Sequence, residues 1–419
     1  MDLEVLGVSI QAVRGMKDVL PPEVFKWQKM EKAVREIFRA FGFSEIKIPV
    51  LERTELFARS IGETTDIVEK EMYTFSDRSG DSLTMRPEAT AGVLRAYVEH
   101  KMHAQPGPHK LFAIGPMFRH ERPQKGRLRQ FNQIDAEILG DESPLLDAEL
   151  MVMLVHMVQS LGLSNVDLHI NSLGCSKCRP KYRQALIDFF EPKKQNLCED
   201  CLRRLNMNPL RVLDCKVEGC KEQAEGAPVI LDHICDECSD HFAQVRKALD
   251  SAGVKYKLDP RMVRGLDYYV RTTFEVVTGD LGAQNAVAGG GRYDGLIEVL
   301  GGPPQGGIGF AAGFERLALL APEPEDVPGP TLFVAALGEK PREEAFRLIQ
   351  NLRRKGIWAE MTSQDKSLKA QMRRAGKLGS AKVLILGENE LEKGEVVLKN
   401  MQDGSQENLP LAGIEKAVG

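Results

Sequence analysis

The stretch FRHERPQKGRLRQFNQ, Phe118 to Gln133, decides how this chain is read. Arg119, Arg122, Lys125, Arg127 and Arg129 place five cations within eleven residues, and Gly126 stands where a two-stranded turn would reverse. So many cations in so short a span need anionic company. Triphosphate supplies it, because guanidinium forks match phosphate oxygens bidentately and stabilise charge that builds during displacement at phosphorus. On charge alone, a solvated basic hairpin fits the same letters.

Outward from the hairpin, KLFAIGPMF enters it and FNQIDAEILG leaves it, both with strand character. Upstream, Phe25, Trp27, Met30, Val34, Ile37, Phe38 and Phe41 recur at a helical period that stops at Gly42. FSEIKIPVLE then alternates Ile46, Ile48 and Val50 as on a strand, with Pro49 at an edge. SLTMRPE predicts another strand and ATAGVLRAYVEH a helix, followed by a helix over Leu145 to Leu161 and the strand VDLHINSLG. Beyond a cysteine-bearing segment, RTTFEVVTG and GIGFAAG resume the strand pattern, the latter running directly into the helix FERLALL. Strands grouped irregularly among helices predict an antiparallel-rich α+β catalytic body.

APEPEDVPGP, Ala321 to Pro330, carries four prolines among acidic residues and marks a domain boundary. Past it, TLFVAALG, a helix near Arg342 to Lys355, IWAEM, a helix near Ser367 to Leu378 and AKVLILG form a β-α-β-α-β run, a small α/β domain. The expected domains are 1–172 with 255–322 as the catalytic body, 173–254 as a cysteine-rich insertion, and 331–419 at the C-terminal end.

At 419 residues, two or three domains are expected. Hydrophobic residues make up 42% and charged residues 28%, with no apolar run near the roughly 20 residues a membrane span needs, so a non-membrane protein is predicted. MDLEVLGVSIQAVRG has neither a basic start nor a sustained apolar core, so the expected location is the cytoplasm. With 56 basic and 60 acidic side chains, any contact with RNA must be regional. All eight cysteines fall between Cys175 and Cys238 as the pairs Cys175/Cys178, Cys198/Cys201, Cys215/Cys220 and Cys235/Cys238. That spacing favours metal, zinc first, over disulfides in a reducing compartment, with reduced thiols packed in a small subdomain as the alternative. How the pairs combine cannot be read from spacing.

Two further stretches bear on the hairpin. VRGLDYYVRTTFEV, Val263 to Val276, offers a fixed cation at Arg264 and aromatic walls at Tyr268 and Tyr269; AGGGRYDGL, Ala288 to Leu296, offers glycines for close backbone approach. A strand with core tyrosines and a glycine turn fits these letters too. GGGRYDG lacks the Gly-x-Gly-x-x-Gly order, which excludes a dinucleotide fingerprint.

Phe-Arg-x-Glu before the loop and Arg-x-x-Gln-Phe after it resemble the second signature motif of class II aminoacyl-tRNA synthetases. The first long helix with the Pro49 stretch resembles motif 1, the dimer-interface motif, and GIGFAAGFERLALL resembles motif 3. The Val263 and Ala288 stretches are similar to signatures of histidyl-tRNA synthetases of the bacterial type, and the similarity runs from RGMKDVLPPE at Arg14 through the C-terminal domain. The resemblance implies a class II catalytic domain with an antiparallel sheet, a C-terminal α/β anticodon-binding domain, and a homodimer. It implies ATP with Mg2+, L-histidine and the tRNA for histidine as ligands. Arg119 and Arg264 would be catalytic, flanking the α-phosphate. Glu88, Thr90, Arg119, Gln133, Glu137, Arg264, Tyr268, Tyr269 and Tyr293 would bind histidine. Arg119, Glu121, Arg127, Phe131 and Arg316 would bind ATP, and Arg122 and Gln124 the tRNA acceptor end. The alternative is a non-catalytic paralogue serving as regulatory subunit of ATP phosphoribosyltransferase. Such paralogues lose the motif 2 arginines and the anticodon domain, and this chain keeps both.

Overall fold

The predicted first helix forms as α1, Glu23–Ala40, and buries Trp27, Met30, Val34, Ile37 and Phe38. Gly42, at φ +79°, turns the chain out of it, and the Phe43 N–H closes the end on the Phe38 carbonyl at 2.9 Å. Trp27 stacks on Phe314 with ring centroids 4.6 Å apart, and Phe38 meets Phe112 edge-on at 4.7 Å, so α1 packs on the catalytic core through its periodic aromatic face. The structure, a computed structural model, describes residues 10–418 except 63, 64, 66, 267, 282–284, 325 and 326. The start of the N-terminal stretch read for a targeting segment, residues 1–9, lies outside the described residues, as do Asp267, Glu325 and Asp326 of the quoted stretches. Two units divide the chain, Met1–Pro322 and Glu323–Gly419.

In the first unit, β1 (Ser44–Glu45) and β2 (Leu51–Arg53) are short, and no strand spans Ile46 to Val50. This corrects the expected continuous strand. Pro49 has no N–H for a ladder, and the carbonyls of Ile48 and Pro49 accept from the Arg86 guanidinium at 2.8 and 3.3 Å instead of from a neighbouring strand. Next come α2 (Thr54–Ile61), β3 (Tyr73–Ser76), β4 (Ser82–Met85), α3 (Thr90–Glu99), β5 (His109–Phe118), β6 (Gln130–Leu139), α4 (Pro144–Ser160) and β7 (Asp167–Ser172). The cysteine segment holds α5 (Arg179–Phe190), α6 (Glu199–Met207), α7 (Glu218–Gln223) and α8 (Asp236–Ser251). The unit finishes with β8 (Lys257–Leu258), β9 (Val270–Val277), β10 (Ala286–Arg292), α9 (Leu296–Val299), β11 (Gly307–Gly313) and α10 (Phe314–Leu320).

Eight strands make one sheet in the order β1-β5-β6-β11-β10-β9-β7-β8, antiparallel through its centre and parallel only at the β1–β5 and β7–β8 edges. The fold is thus a class II synthetase-type catalytic domain with a largely antiparallel sheet. The triple glycine does not form a turn: Gly289, Gly290 and Gly291 lie inside β10. Interior glycines weaken a strand unless another group needs the space. Here a Cβ on Gly290 would stand 2.1 Å from the Gly309 carbonyl oxygen.

The insertion's last helix is tied to the sheet by a buried triad. Arg292 Nε and His241 Nε2 lie 3.1 and 2.8 Å from carboxylate oxygens of Asp147 on α4. Burial opposes charge on Asp147, but His241 and Arg292 outweigh it and hold its pKa below the usual value. Phe242, Val245 and Leu249 of α8 join the same core as Leu150, Leu154 and Phe274.

The second unit is an anticodon-binding-type α/β domain with β12 (Leu332–Ala336), α11 (Glu339–Arg354), β13 (Ala359–Met361), α12 (Leu368–Lys377), β14 (Lys382–Leu386), α13 (Glu388–Lys393), β15 (Glu395–Asn400), β16 (Gln406–Pro410) and α14 (Ile414–Val418). β13, β12 and β14 are parallel as the β-α-β-α-β pattern predicts, and the antiparallel hairpin β15–β16 extends the sheet beyond that pattern. Among the described residues, no helix is long and apolar enough to cross a membrane.

Candidate active site

A cavity of about 340 Å³ opens over the centre of the sheet. Its lining includes Glu88, Thr90, Arg119, Glu121, Arg127, Phe131, Gln133, Arg264, Tyr268, Tyr269 and Arg316. β6 and the hairpin ahead of it, the first turn of α3, the segment ahead of β9, β10 and the β11–α10 junction all contribute.

The acidic and aromatic part is buried. Glu88 precedes α3 and accepts the N–H groups of Thr90 and Ala91 at 3.1 and 2.8 Å, as an anion at a helix start should. Glu137 on β6 accepts the Thr90 hydroxyl at 2.7 Å and the Tyr293 hydroxyl on its other oxygen. Burial pushes Glu137 up to about 8, against the pull of Tyr293 and Thr90. Gly309 lies directly opposite Glu137 in the β6–β11 register, and a Cβ there would fall 1.6 Å from the carboxylate. Neither Glu137 nor Tyr293 lines the cavity; both stand behind it, buried, and the Tyr293 ring lies 5.8 Å from that of Tyr268. Gln133 Oε1 is buried without a hydrogen-bond partner among the described residues. Such an unmet acceptor suits a polar ligand.

The cationic part is held by backbone carbonyls at Arg119 and Arg316 and by carboxylates at Arg127 and Arg264. Arg119 Nε donates to Pro87 O at 2.8 Å while its guanidinium lies over the Phe131 ring, 5.2 Å from the centroid. Arg127 pairs with Glu121 at 2.8 Å. Arg316 donates to Gly126 O at 3.0 Å and to Ala286 O at 2.5 Å, joining the hairpin tip to α10 and β10. Burial, then the neighbouring Arg127, lowers the Arg316 pKa, against the opposing pull of Glu121. Arg264 binds Glu275, and although burial opposes its charge, Glu275 holds it protonated. A Cβ on Gly289 would sit 2.6 Å from the Arg264 guanidinium, so β10 leaves room for that side chain.

Arg122 and Gln124 are not brought into the cavity. Both are exposed in the hairpin loop, where Gln124 bridges Arg127 across the turn at Gly126, φ +73°. The eight cysteines also lie outside it, in two groups, Cys175, Cys178, Cys235 and Cys238, and Cys198, Cys201, Cys215 and Cys220.

Three contributors were missed. Glu275 is the counter-ion of Arg264; the alternation in RTTFEVV could have placed it on the Thr273 face. Glu315 accepts the Asn132 N–H at 2.9 Å and clasps α10 to β6. Asp135 is buried, with neither carboxylate oxygen hydrogen-bonded among the described residues, and burial followed by Glu137 and Glu88 raises its pKa strongly.

The family described as histidyl-tRNA synthetase matches residues 15–317, and the anticodon binding domain family matches residues 331–419. The histidine–tRNA ligase of Syntrophotalea carbinolica is 56% identical over 98% of this chain and 98% of its own length. That of Geobacter sulfurreducens is 56% identical over 98% and 99%. Among solved structures, the apo histidyl-tRNA synthetase of S. aureus aligns at a TM-score of 0.84 and 37% identity, covering 98% of this chain and all of that one.

Proposed function

The chain belongs to the histidyl-tRNA synthetase family, and from that premise we propose how its cavity divides the work of activating histidine and passing it to tRNA. It is an aminoacyl-tRNA ligase, histidine–tRNA ligase in activity, and the relatives so named favour this over the regulatory-subunit alternative. The observation that carries the proposal is the placement of Arg119. It donates to the Pro87 carbonyl, next to Glu88, and lies over Phe131 in the cavity that Arg316 also lines, so it joins the acidic and cationic parts.

In our reading, Glu88 and Thr90 hold the α-amino group of histidine. Glu137, with Tyr293 behind it and Gln133 beside it, recognises the imidazole, since a site built to hydrogen-bond a polar ring rejects analogues that cannot reciprocate. Tyr268 and Tyr269 wall the ring. Arg119 and Arg264 flank the α-phosphate as the histidine carboxylate attacks it in line and pyrophosphate leaves; the terminal ribose hydroxyl of tRNA then attacks the acyl-adenylate. Both steps call for positioning and charge stabilisation, which fixed guanidinium groups provide. Phe131 stacks on adenine, Glu121 hydrogen-bonds beside it, and Arg127 and Arg316 hold the β,γ end. The carboxylates of Glu121 and Glu315 border that end and are the hard oxygen donors magnesium prefers. Bound there, the ion would neutralise triphosphate charge. Arg122 and Gln124 meet the tRNA acceptor end, the second unit meets the anticodon, and the enzyme works as a cytoplasmic homodimer.

Histidine-dependent ATP–pyrophosphate exchange, followed by charging of tRNA, tests the whole. Absence of exchange with histidine overturns it.

A further inference from the structure

Within each cysteine group the four sulfurs lie within 4.8 Å of one another. Individual Sγ–Sγ separations are 3.6 Å for Cys175–Cys178, 3.9 Å for Cys175–Cys235, 3.8 Å for Cys178–Cys238 and 3.9 Å for Cys198–Cys215. Four sulfurs each about 2.3 Å from a tetrahedral zinc stand about 3.8 Å apart. A disulfide would need about 2.05 Å, and all eight thiols are free. Backbone N–H groups point at sulfur, from Cys235 to Cys178 at 3.1 Å, from Cys198 to Cys220 at 3.2 Å and from Val217 to Cys215 at 3.5 Å. Such donors favour thiolates and orient them for a soft metal.

We propose that the chain binds two structural zinc ions in nested tetrathiolate sites, and that the outer one, on Cys175, Cys178, Cys235 and Cys238, fixes a wall of the catalytic cavity. Four protein thiolates leave no open coordination position, so neither ion is catalytic.

The outer site sits where the insertion leaves the sheet and comes back to it. Cys178 and Cys235 directly precede α5 and α8. Gly174, between β7 and the first knuckle, takes φ +63°, and a Cβ there would lie 2.9 Å from the Cys178 Cβ. Its carbonyl accepts the Arg271 N–H at 2.8 Å, and Leu173 donates back to the Arg271 carbonyl at 2.7 Å. Arg179, the first residue of α5, donates to the carbonyl of Tyr269, which lines the cavity. A metal that joins the first turns of α5 and α8 therefore holds Tyr269 to Arg271 in place. The inner sulfurs accept from the backbone of residues 198 and 217, neither of them in the cavity.

The positional half of the proposal rests on the histidine reading of the cavity; the metal half does not. Full-length protein, purified under reducing conditions without added zinc, is expected to carry about two zinc ions per chain. Cys235→Ser/Cys238→Ser and Cys198→Ser/Cys201→Ser should each carry about one. Exchange with cobalt should give thiolate-to-metal charge transfer and visible tetrahedral bands. Loss of the outer site should raise KM for histidine in pyrophosphate exchange roughly 10-fold or more, as small displacements of positioning groups do, with KM for ATP within about 2-fold. Cys235→His, which keeps a ligand, should restore the histidine KM, and the inner-site variant should leave it unchanged. Fewer than about 0.2 metal ions per wild-type chain with eight titratable thiols, or iron in place of zinc, overturns the zinc assignment even where a variant fails to fold. Equal histidine KM changes in the outer and inner variants, or no rescue by histidine at position 235, overturn the positional half. Zinc-loaded protein without histidine-dependent exchange would refute the cavity reading alone.

Discussion

Glu137 has both carboxylate oxygens engaged, by Thr90 and Tyr293, yet burial still raises it to about 8 from the ordinary 4.5. Between those values the folded protein keeps a proton that the unfolded chain has released. Stability therefore falls as pH rises from 4.5 to 8, by up to about 1.4 kcal/mol per pH unit for one proton, and levels off above. Glu137→Gln, which cannot ionise, should flatten this slope, so its denaturation midpoint gains on wild type as pH rises through that window. Parallel midpoints would mean that Glu137 does not titrate there. Gly309→Ala places a methyl on the same carboxylate and should cost about 1–3 kcal/mol by overpacking, read as a lowered midpoint with a raised KM for histidine. Arg264→Ala should slow pyrophosphate exchange about 10²–10³-fold; intact adenylation would remove it from the α-phosphate.

The cavity's charged residues were legible because Arg119, Glu88 and Arg316 sit in short contiguous strings that carry a resemblance. Gly309 was not. Its necessity comes from Glu137 across a strand pair, and a register between distant strands has no local signature. Glu275 was half legible: its alternation placed it on a face, but only the fold brings Arg264 to that face.

At the scale of elements, the hairpin between β5 and β6 is pinned at its base and at its tip. Arg129 N–H donates to the Gly15 carbonyl at 2.7 Å, and the Gly126 carbonyl accepts from Arg316. The tip keeps Arg122, Gln124 and Lys125 exposed. Arg122→Ala should therefore slow tRNA charging several-fold while histidine-dependent exchange keeps pace; equal losses in both assays would place Arg122 with ATP. Most elements followed from periodicity, which is strong for α1 and β6. It misled at Ile46 to Val50, where alternation is real but Pro49 and the Arg86 guanidinium take the carbonyls out of any ladder. It also missed β15 and β16, of which β16 is a largely exposed edge strand and β15 pairs on both sides.

Across the whole molecule, the proposed function has tRNA met by both units. In the second unit, the basic side chains of Arg353 and Lys355 are engaged with Glu360 and Glu415. Lys369, Arg373, Arg374 and Lys377 on α12 are exposed, with no carboxylate within ion-pair distance among the described residues. Arg373→Glu with Lys377→Glu should weaken tRNA binding and flatten its log–log salt dependence by about 0.7–0.9 per lost phosphate contact. An unchanged slope would return α12 to the role of a solvated face.

The pairing of β6 with β11 sets a timetable for synthesis. Leu139 must wait for Gly307, which the ribosome adds roughly 170 residues and, at about 5–20 residues per second, about 8–35 s later. Until then the β6 edge stands without its partner, and the cysteine-rich lobe emerges in the interval. A nascent chain stalled before β11 should accordingly be a strong chaperone client, and one stalled beyond α10 should not.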